Sequence, residues 1–398
     1  MFQSLKVLPA DPILGLIAEF AKDSNTNKVD LGVGIYKDES GLTPIMDAVK
    51  KAELICHQVE KSKAYIGPAG VPEFNESIRE LIFGEGHHVL KDKRVNTVLT
   101  PGGCGALRVG SEFLLHCASE VKVWVSDPTW ANHMPLLGNA GLKLVQYPYY
   151  DQAGSKLKFD EMMSTLAAAK AGDVVLLHGC CHNPCGADLN EQQWQAVTAL
   201  AEKNGFLPFI DLAYQGFGRG LDEDAYGVRL MAEKLPELLV ASSCSKNFGL
   251  YRERVGSLSV LGAQATHGDV VLSHINNVVR GNYSMPPSHG GAIVSAILRD
   301  ETLRQSWEEE LETMRNRINS LRVLLVDKLK QAGADRDFSF IAEQYGMFSF
   351  LGISPEQVRQ LRDSYGIYMV DSSRINIAGV SQDNVDYLAA AIVKTISQ

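Results

Sequence analysis

The sequence has no apolar run approaching the roughly 18 residues that a membrane-spanning helix needs. Its first residues, MFQSLKVLPADPILG, lack a basic segment followed by a long apolar one, so a secretory leader is not expected and a cytoplasmic protein is. Basic residues are the minority: 38 Lys and Arg face 47 Asp and Glu, a net charge of −9. That balance disfavours nucleic acid or an anionic membrane as the main partner, because both need a basic face. It leaves an anionic small molecule open, since such a ligand responds to local charge. Cysteine is sparse and odd in number, seven in all, with three crowded at 180, 181 and 185, which makes a poor disulfide framework and fits a reducing compartment. Repeats, low-complexity tracts and flexible linkers are missing. So is the dinucleotide fingerprint: a G-x-G-x-x-G beginning at Gly103 would need glycine at 108, where Arg108 stands.

What is present is a chain of 398 residues, 45% hydrophobic and 21% charged, long enough for two packed domains. Between residues 90 and 260, short apolar runs alternate with longer amphipathic segments. Strands are expected at Thr97–Leu99, Val121–Val125, Leu142–Tyr147, Val174–Leu177, Phe206–Ile210, Leu238–Ala241 and Ser257–Leu261, with helices such as Gly105–Cys117 and Glu191–Asn204 between them. This is the rhythm of βαβ units, hence an α/β fold with a mainly parallel or mixed sheet. After Asp300 the pattern becomes one long amphipathic helix with a core-facing stripe (Leu303, Trp307, Leu311, Met314, Ile318, Leu321, Leu325) and Gly333 at its end. Residues 335–398 read as a small α+β unit with strands near Met347–Leu351 and Arg374–Ala378.

Ligands of open α/β sheets bind at the carboxyl ends of the strands, so the segments that follow each strand carry the chemistry. The first is TPGGCGALRVG, a glycine-rich turn into a helix whose free N–H groups suit a phosphate. The next, SDPTWANH, brings Trp130, a flat face or a core filler. HGCCHNPCGADL offers His178, Cys180, Cys181, His182 and Cys185, but lacks the paired spacing of a structural zinc site, and no metal is expected. Its Asn183 sits in a turn that exposes an amide. DLAYQGFGRG places Asp211 after an apolar strand, where it is either a helix cap or the partner of a cation. SSCSKNFGLYRERVG sets Lys246 among Ser243, Ser245 and Arg254, groups that bind phosphate, with an amine suited to a Schiff base. One ligand unites the set. Pyridoxal phosphate has an aldehyde for Lys246, a phosphate for the glycine turn, serines and Arg254, a ring nitrogen for Asp211, a flat ring for Trp130 and a phenolic oxygen for Asn183 and Tyr214.

SSCSKNFGLYRERVG, CCHNPCGADL, DLAYQGFGRG, SDPTWANH, DLGVGIYKDESG and SRINIAG closely resemble the class I aminotransferases of fold type I, the bacterial aspartate aminotransferases and aromatic-amino-acid aminotransferases in particular. The resemblance runs over essentially the whole chain. It implies a pyridoxal-phosphate-dependent transferase fold: a large domain (44–312) with a mainly parallel seven-stranded sheet, a small domain (11–43 with 313–398), and an arm (1–10) packing on a partner subunit. It implies that Lys246, Asp211 and Tyr214 are catalytic. Gly103, Cys104, Trp130, Asn183, Ser243, Ser245 and Arg254 hold the cofactor, joined by Tyr65 from the neighbouring subunit of a homodimer. Arg374 grips the substrate α-carboxylate with Gly34, Trp130 and Asn183. Arg280 crosses the interface to read a side-chain carboxylate, and His133 and His178 stand behind Asp211. The expected reaction is ping-pong amino transfer from L-aspartate to 2-oxoglutarate, with the aromatic-amino-acid aminotransferase as the alternative. Two positions depart from the family pattern: Cys104 replaces a hydroxyl residue at the phosphate site, and Cys185 replaces the threonine of an Asn-Pro-Thr-Gly turn. At the pocket rim, Lys37 and Thr43 look like the aspartate branch, whereas Ile35, Ala64 and Met285 match neither.

Overall fold

A computed structural model describes residues 2–7 and 12–397. The expected arm therefore lies partly outside the described residues. Seven strands form the central sheet: β1 Val95–Pro101, β2 Lys122–Asp127, β3 Lys143–Pro148, β4 Val174–His178, β5 Leu207–Leu212, β6 Leu238–Ser243 and β7 Val255–Leu261. Their spatial order is β1-β7-β6-β5-β4-β2-β3, and only β7 runs antiparallel to its neighbours. The central strands β5, β6 and β7 are buried almost throughout. Their apolar residues are buried on both faces, as expected for a covered sheet, and the serines of β6 and β7 are buried with them.

The helices that matter for the site are α1 Gly102–Cys117, α2 Glu191–Asn204, α3 Gly268–Asn282 and α4 Glu301–Gln331. Helix α1 begins three residues before the expected Gly105. Gly102 takes φ +71°, a left-handed conformation open to glycine, and so turns the chain directly from β1 into the helix. Helix α2 carries a complete capping box, in which Asn190 accepts from the Gln193 N–H and the Gln193 side chain accepts from the Asn190 N–H.

Helix α4 has its N-cap at Asp300, whose carboxylate accepts the Leu303 N–H at 2.9 Å, and Gly333 follows its end at φ +85°. All seven residues of the expected stripe are buried. The helix packs on the Asp47–Val59 and His289–Arg299 helices and also on the carboxyl-terminal helix Val385–Ile396. Among the described residues three short ladders lie beyond the main sheet, one of them the hairpin of Tyr150–Asp151 with Lys156–Leu157. Val29–Asp30 pairs in parallel with Ile367–Tyr368, and β8 Phe348–Phe350 pairs antiparallel with β9 Arg374–Asn376. The ladder of Val29–Asp30 joins the two ends of the chain. Among the described residues, no helix is long and apolar enough to cross a membrane.

Candidate active site

The carboxyl ends of β1, β4, β5 and β6 open onto a cavity of about 270 Å³. Every catalytic, cofactor and substrate residue named from the sequence lines it except Tyr65 and Arg280. Asp211 lies within β5, one residue from its end, and not in a helix cap as its sequence context also allowed. It is paired in register with His178 at the end of β4.

Behind Asp211 runs a chain of buried and half-buried polar groups. His133 Nε2 is 2.9 Å from Asp211 Oδ2, and His133 Nδ1 is 2.8 Å from the Thr129 hydroxyl, which in turn is 3.1 Å from His178 Nε2. A carboxylate only accepts, so His133 presents its Nε2–H to Asp211. Burial pushes His178 down to about 3, helped by its neighbour His133, so this imidazole is neutral. Burial by itself would raise the Asp211 carboxyl. The His133 hydrogen bond and the positive charge of Lys246 outweigh it and hold Asp211 below its ordinary value.

Lys246 reaches the same space from the loop after β6, and its Nζ stands 4.6 Å from the centre of the Tyr214 ring. Burial lowers its amine below the usual lysine value, against the opposing pull of Asp211. Burial likewise raises the Tyr214 hydroxyl far above its usual range, which keeps it a protonated donor at neutral pH.

At one end of the cavity the amino terminus of α1 meets the loop after β6. Ser243 Oγ accepts the Ser245 N–H at 3.2 Å, and Arg254 Nη1 donates to Ser245 Oγ at 3.4 Å. A methyl group on Gly102 would stand 2.5 Å from Arg254 Nη2, and one on Gly103 would stand 3.3 Å from Ser243 Cβ. Bare backbone, two hydroxyls and a guanidinium thus converge where only small residues fit, which suits a phosphate group. Cys104 lines the same end, its sulfur 3.8 Å from the Asn132 amide nitrogen. With Asp211 beneath, Lys246 beside it and Trp130 on the rim, the residues present fit pyridoxal phosphate.

The opposite wall comes from the chain ends. Arg374 donates from Nη1 to Asn183 Oδ1 at 3.3 Å and from Nη2 to the Gly32 carbonyl at 2.9 Å, while its Nε has no partner among the described residues. Its guanidinium lies 4.3 Å from the centre of the Phe348 ring. Gly34 faces that ring so closely that a methyl group would sit 2.7 Å from Phe348 Cζ. Phe348, Tyr251, Ile13 and Thr129 were not singled out from the sequence. Tyr251 stands inside the quoted SSCSKNFGLYRERVG, and its hydroxyl accepts the Tyr36 N–H at 2.9 Å. Phe348 looked like any apolar strand residue and carried no signal.

Tyr65 is 93% exposed, and Arg280 is exposed on α3 with its guanidinium against the Ser284 hydroxyl. Neither reaches the cavity of its own chain. In the cysteine-histidine cluster, β4 ends at His178 and Cys181 adopts φ +51°, so the chain turns. Cys180 and Cys181 then fall on one side near Asp224, whose carboxylate accepts the N–H groups of Gly216, Gly218 and Arg219. His182 turns instead to Ser126 and Cys185.

The family model for aminotransferase class I and II matches residues 26–392. The chain is 49% identical over 396 residues to the aspartate aminotransferase of Escherichia coli (strain K12), with 100% of both chains covered. It is 48% identical over 395 residues to the aromatic-amino-acid aminotransferase of Paracoccus denitrificans, covering 99% of each. A solved aromatic-amino-acid aminotransferase of Burkholderia pseudomallei, covalently bound to pyridoxal phosphate, superposes with a TM-score of 0.97 at 43% identity over 99% of both chains.

Proposed function

The chain belongs to the class I and II aminotransferase family and is a pyridoxal-phosphate-dependent aminotransferase, and within that family we propose that it is an aspartate aminotransferase. It transfers the amino group of L-aspartate to 2-oxoglutarate, giving oxaloacetate and L-glutamate by a reversible ping-pong cycle. The observation that carries this reading is the convergence of Lys246, Asp211 and Arg374 on one cavity. Together they supply an amine, an anionic partner for a protonated ring and a fork for a carboxylate. The resemblance to aromatic-amino-acid aminotransferases, in sequence and in fold, favours a second reading in which aromatic substrates are also accepted.

Bound in this cavity, pyridoxal phosphate supplies an aldehyde carbon and an electron-withdrawing pyridine ring that acidify the substrate Cα–H. Lys246 is the group that would hold the cofactor aldehyde, and once released its amine, weakened by burial, would accept the proton from the substrate Cα. Asp211 stays ionised through its His133 bond and is the counter-charge of the ring nitrogen. Tyr214 and Asn183 offer donors to the phenolic oxygen, and Trp130 covers one ring face. Gly103, Cys104, Ser243, Ser245 and Arg254 hold the phosphate, with Tyr65 added from a partner. Arg374 binds the α-carboxylate with Asn183 and Gly34, and Arg280 of a second copy binds the side-chain carboxylate of aspartate.

The small domain (11–43 with 313–398) meets the large domain (44–312) at this cavity, and the enzyme is a cytoplasmic homodimer. In support, Phe2, Leu5, Val7 and Tyr65 are large apolar groups left highly exposed on the single chain, the signature of a surface that a partner covers. Spectral titration of the holoenzyme tests the reading. Conversion of bound pyridoxal phosphate to pyridoxamine phosphate at much lower aspartate than phenylalanine is expected. An equal response to both would transfer the protein to the aromatic branch, and no cofactor absorption at all would overturn the role of Lys246.

A further inference from the structure

Arg322, in the second half of α4, is 1% exposed and one of the largest fully buried side chains. Its Nη1 donates to the Ile341 carbonyl at 3.0 Å. Its Nη2 lies 3.1, 2.7 and 2.6 Å from the carbonyl oxygens of Tyr345, Gly346 and Phe348. Burial lowers the guanidinium to about 10, so it remains charged at neutral pH. A buried charge must be compensated, and here the compensation comes from four carbonyls of a single segment. That segment folds around the side chain and leads directly into β8.

Phe348 is the first residue of β8. Its carbonyl receives the shortest of the four bonds, and its ring carries the Arg374 guanidinium. The same centre touches the loop that bears Asn183. The Tyr345 N–H donates to the Gly186 carbonyl at 2.9 Å, and a methyl group on Gly186 would collide with the Phe348 carbonyl and stand 3.3 Å from Arg322 Nη2. The stacking platform of Arg374 and the loop of its hydrogen-bond partner Asn183 therefore meet at one buried cation.

We propose that Arg322 is a positioning residue for carboxylate recognition: it fixes Phe348, and through that ring the Arg374 guanidinium, against the Asn183 loop. The proposal rests on the reading of Arg374 as the α-carboxylate group. It depends on the shape of the guanidinium as well as its charge. A planar fork spans Ile341 on one side and residues 345–348 on the other, whereas a lysine ammonium is a single point on a flexible stem. The phosphate groups Ser243, Ser245 and Arg254 and the amine of Lys246 stand on segments that Arg322 does not bond, so cofactor retention should largely survive its replacement.

The test is a titration of holoenzyme with succinate, a non-reacting dicarboxylate, for the wild type, Arg322→Lys, Phe348→Leu and Arg374→Lys, with KM and kcat measured in parallel. Arg322→Lys should raise the succinate Kd and the KM values by about tenfold, as for loss of one charge-assisted hydrogen bond, with kcat and cofactor affinity nearly unchanged. Phe348→Leu keeps all four carbonyl bonds and should show the same binding loss; wild-type affinity there would break the link from Arg322 to Arg374 even if Arg322→Lys does not fold. Wild-type succinate affinity in either variant, or equal loss of kcat, KM and cofactor, would overturn the proposal. If Arg374→Lys also bound succinate normally, the reading of Arg374 would be the one at fault.

Discussion

Lys246 Nζ stands 4.6 Å from the centre of the Tyr214 ring, so the amine from the loop after β6 rests over the π-face of a residue in the loop after β5. The face of an aromatic ring tolerates a cation without binding its proton as a carboxylate would. With burial lowering the amine as well, Lys246 is held ready for proton transfer rather than locked in an ion pair. Lys246→Ala should therefore lose turnover by about a thousandfold or more, the scale of positioned acid–base catalysis. Its circular dichroism should match the wild type, and the apoenzyme should melt no lower, because a partly desolvated amine has been removed. Transamination at the wild-type rate would end the assignment.

His133 is 0% exposed and donates to Asp211 at 2.9 Å. The Asp211 carboxyl lies below its ordinary value in the folded protein, so the stability it contributes is complete above that ordinary value. It is lost as pH falls through the lower, folded one. His133→Phe removes the first of the interactions that lower it. Melting temperatures recorded between about pH 3 and 6 should fall less on acidification in the variant, because its folded carboxyl lies nearer the ordinary value and contributes less to be lost. Parallel curves would mean that His133 does not tune Asp211.

Arg280 is exposed and outside the cavity of its own chain. Arg280→Ala should cost aspartate about a hundredfold in kcat/KM, the worth of a charge-assisted fork, and leave phenylalanine nearly untouched. Hybrid dimers supply the geometric check. A dimer of one Lys246→Ala chain and one Arg280→Ala chain contains one site with both groups intact if Arg280 acts across the interface. Recovery of aspartate turnover on mixing is expected. No recovery, with hybrids verified, places Arg280 in its own subunit's site or in none.

Cys104 lines the phosphate end, Cys117 is exposed, and Cys56, Cys180, Cys181, Cys185 and Cys244 are buried. Buried thiols react slowly because the thiolate is disfavoured there. A disulfide exchange reagent should label Cys117 in both forms of the enzyme and Cys104 in the apo form alone, as followed by peptide mass spectrometry. Equal labelling of Cys104 with and without pyridoxal phosphate would remove it from the cofactor site.

Much of this protein was legible in local sequence. The apolar runs marked all seven strands, and the α4 stripe was read correctly along its length. The groups with obvious chemistry stood at the carboxyl ends of strands. Element ends were less legible: α1 starts at Gly102 because a left-handed glycine permits the turn, and Asp211 belongs to β5 because the His133 N–H compensates its buried carboxylate there.

The sequence by itself determined which residues can do chemistry, since an amine among hydroxyls or a carboxylate after an apolar strand is a property of neighbours in the chain. Tertiary structure alone decided who meets whom. Arg374 binds Asn183 from 191 residues away and the Gly32 carbonyl from 342 residues away. Phe348 becomes the platform of that arginine because four carbonyl bonds to Arg322 fold its segment into place. No periodicity encodes such contacts: hydrophobic patterning specifies which face is buried, and only the closing of two chain ends over one sheet fixes which buried groups touch.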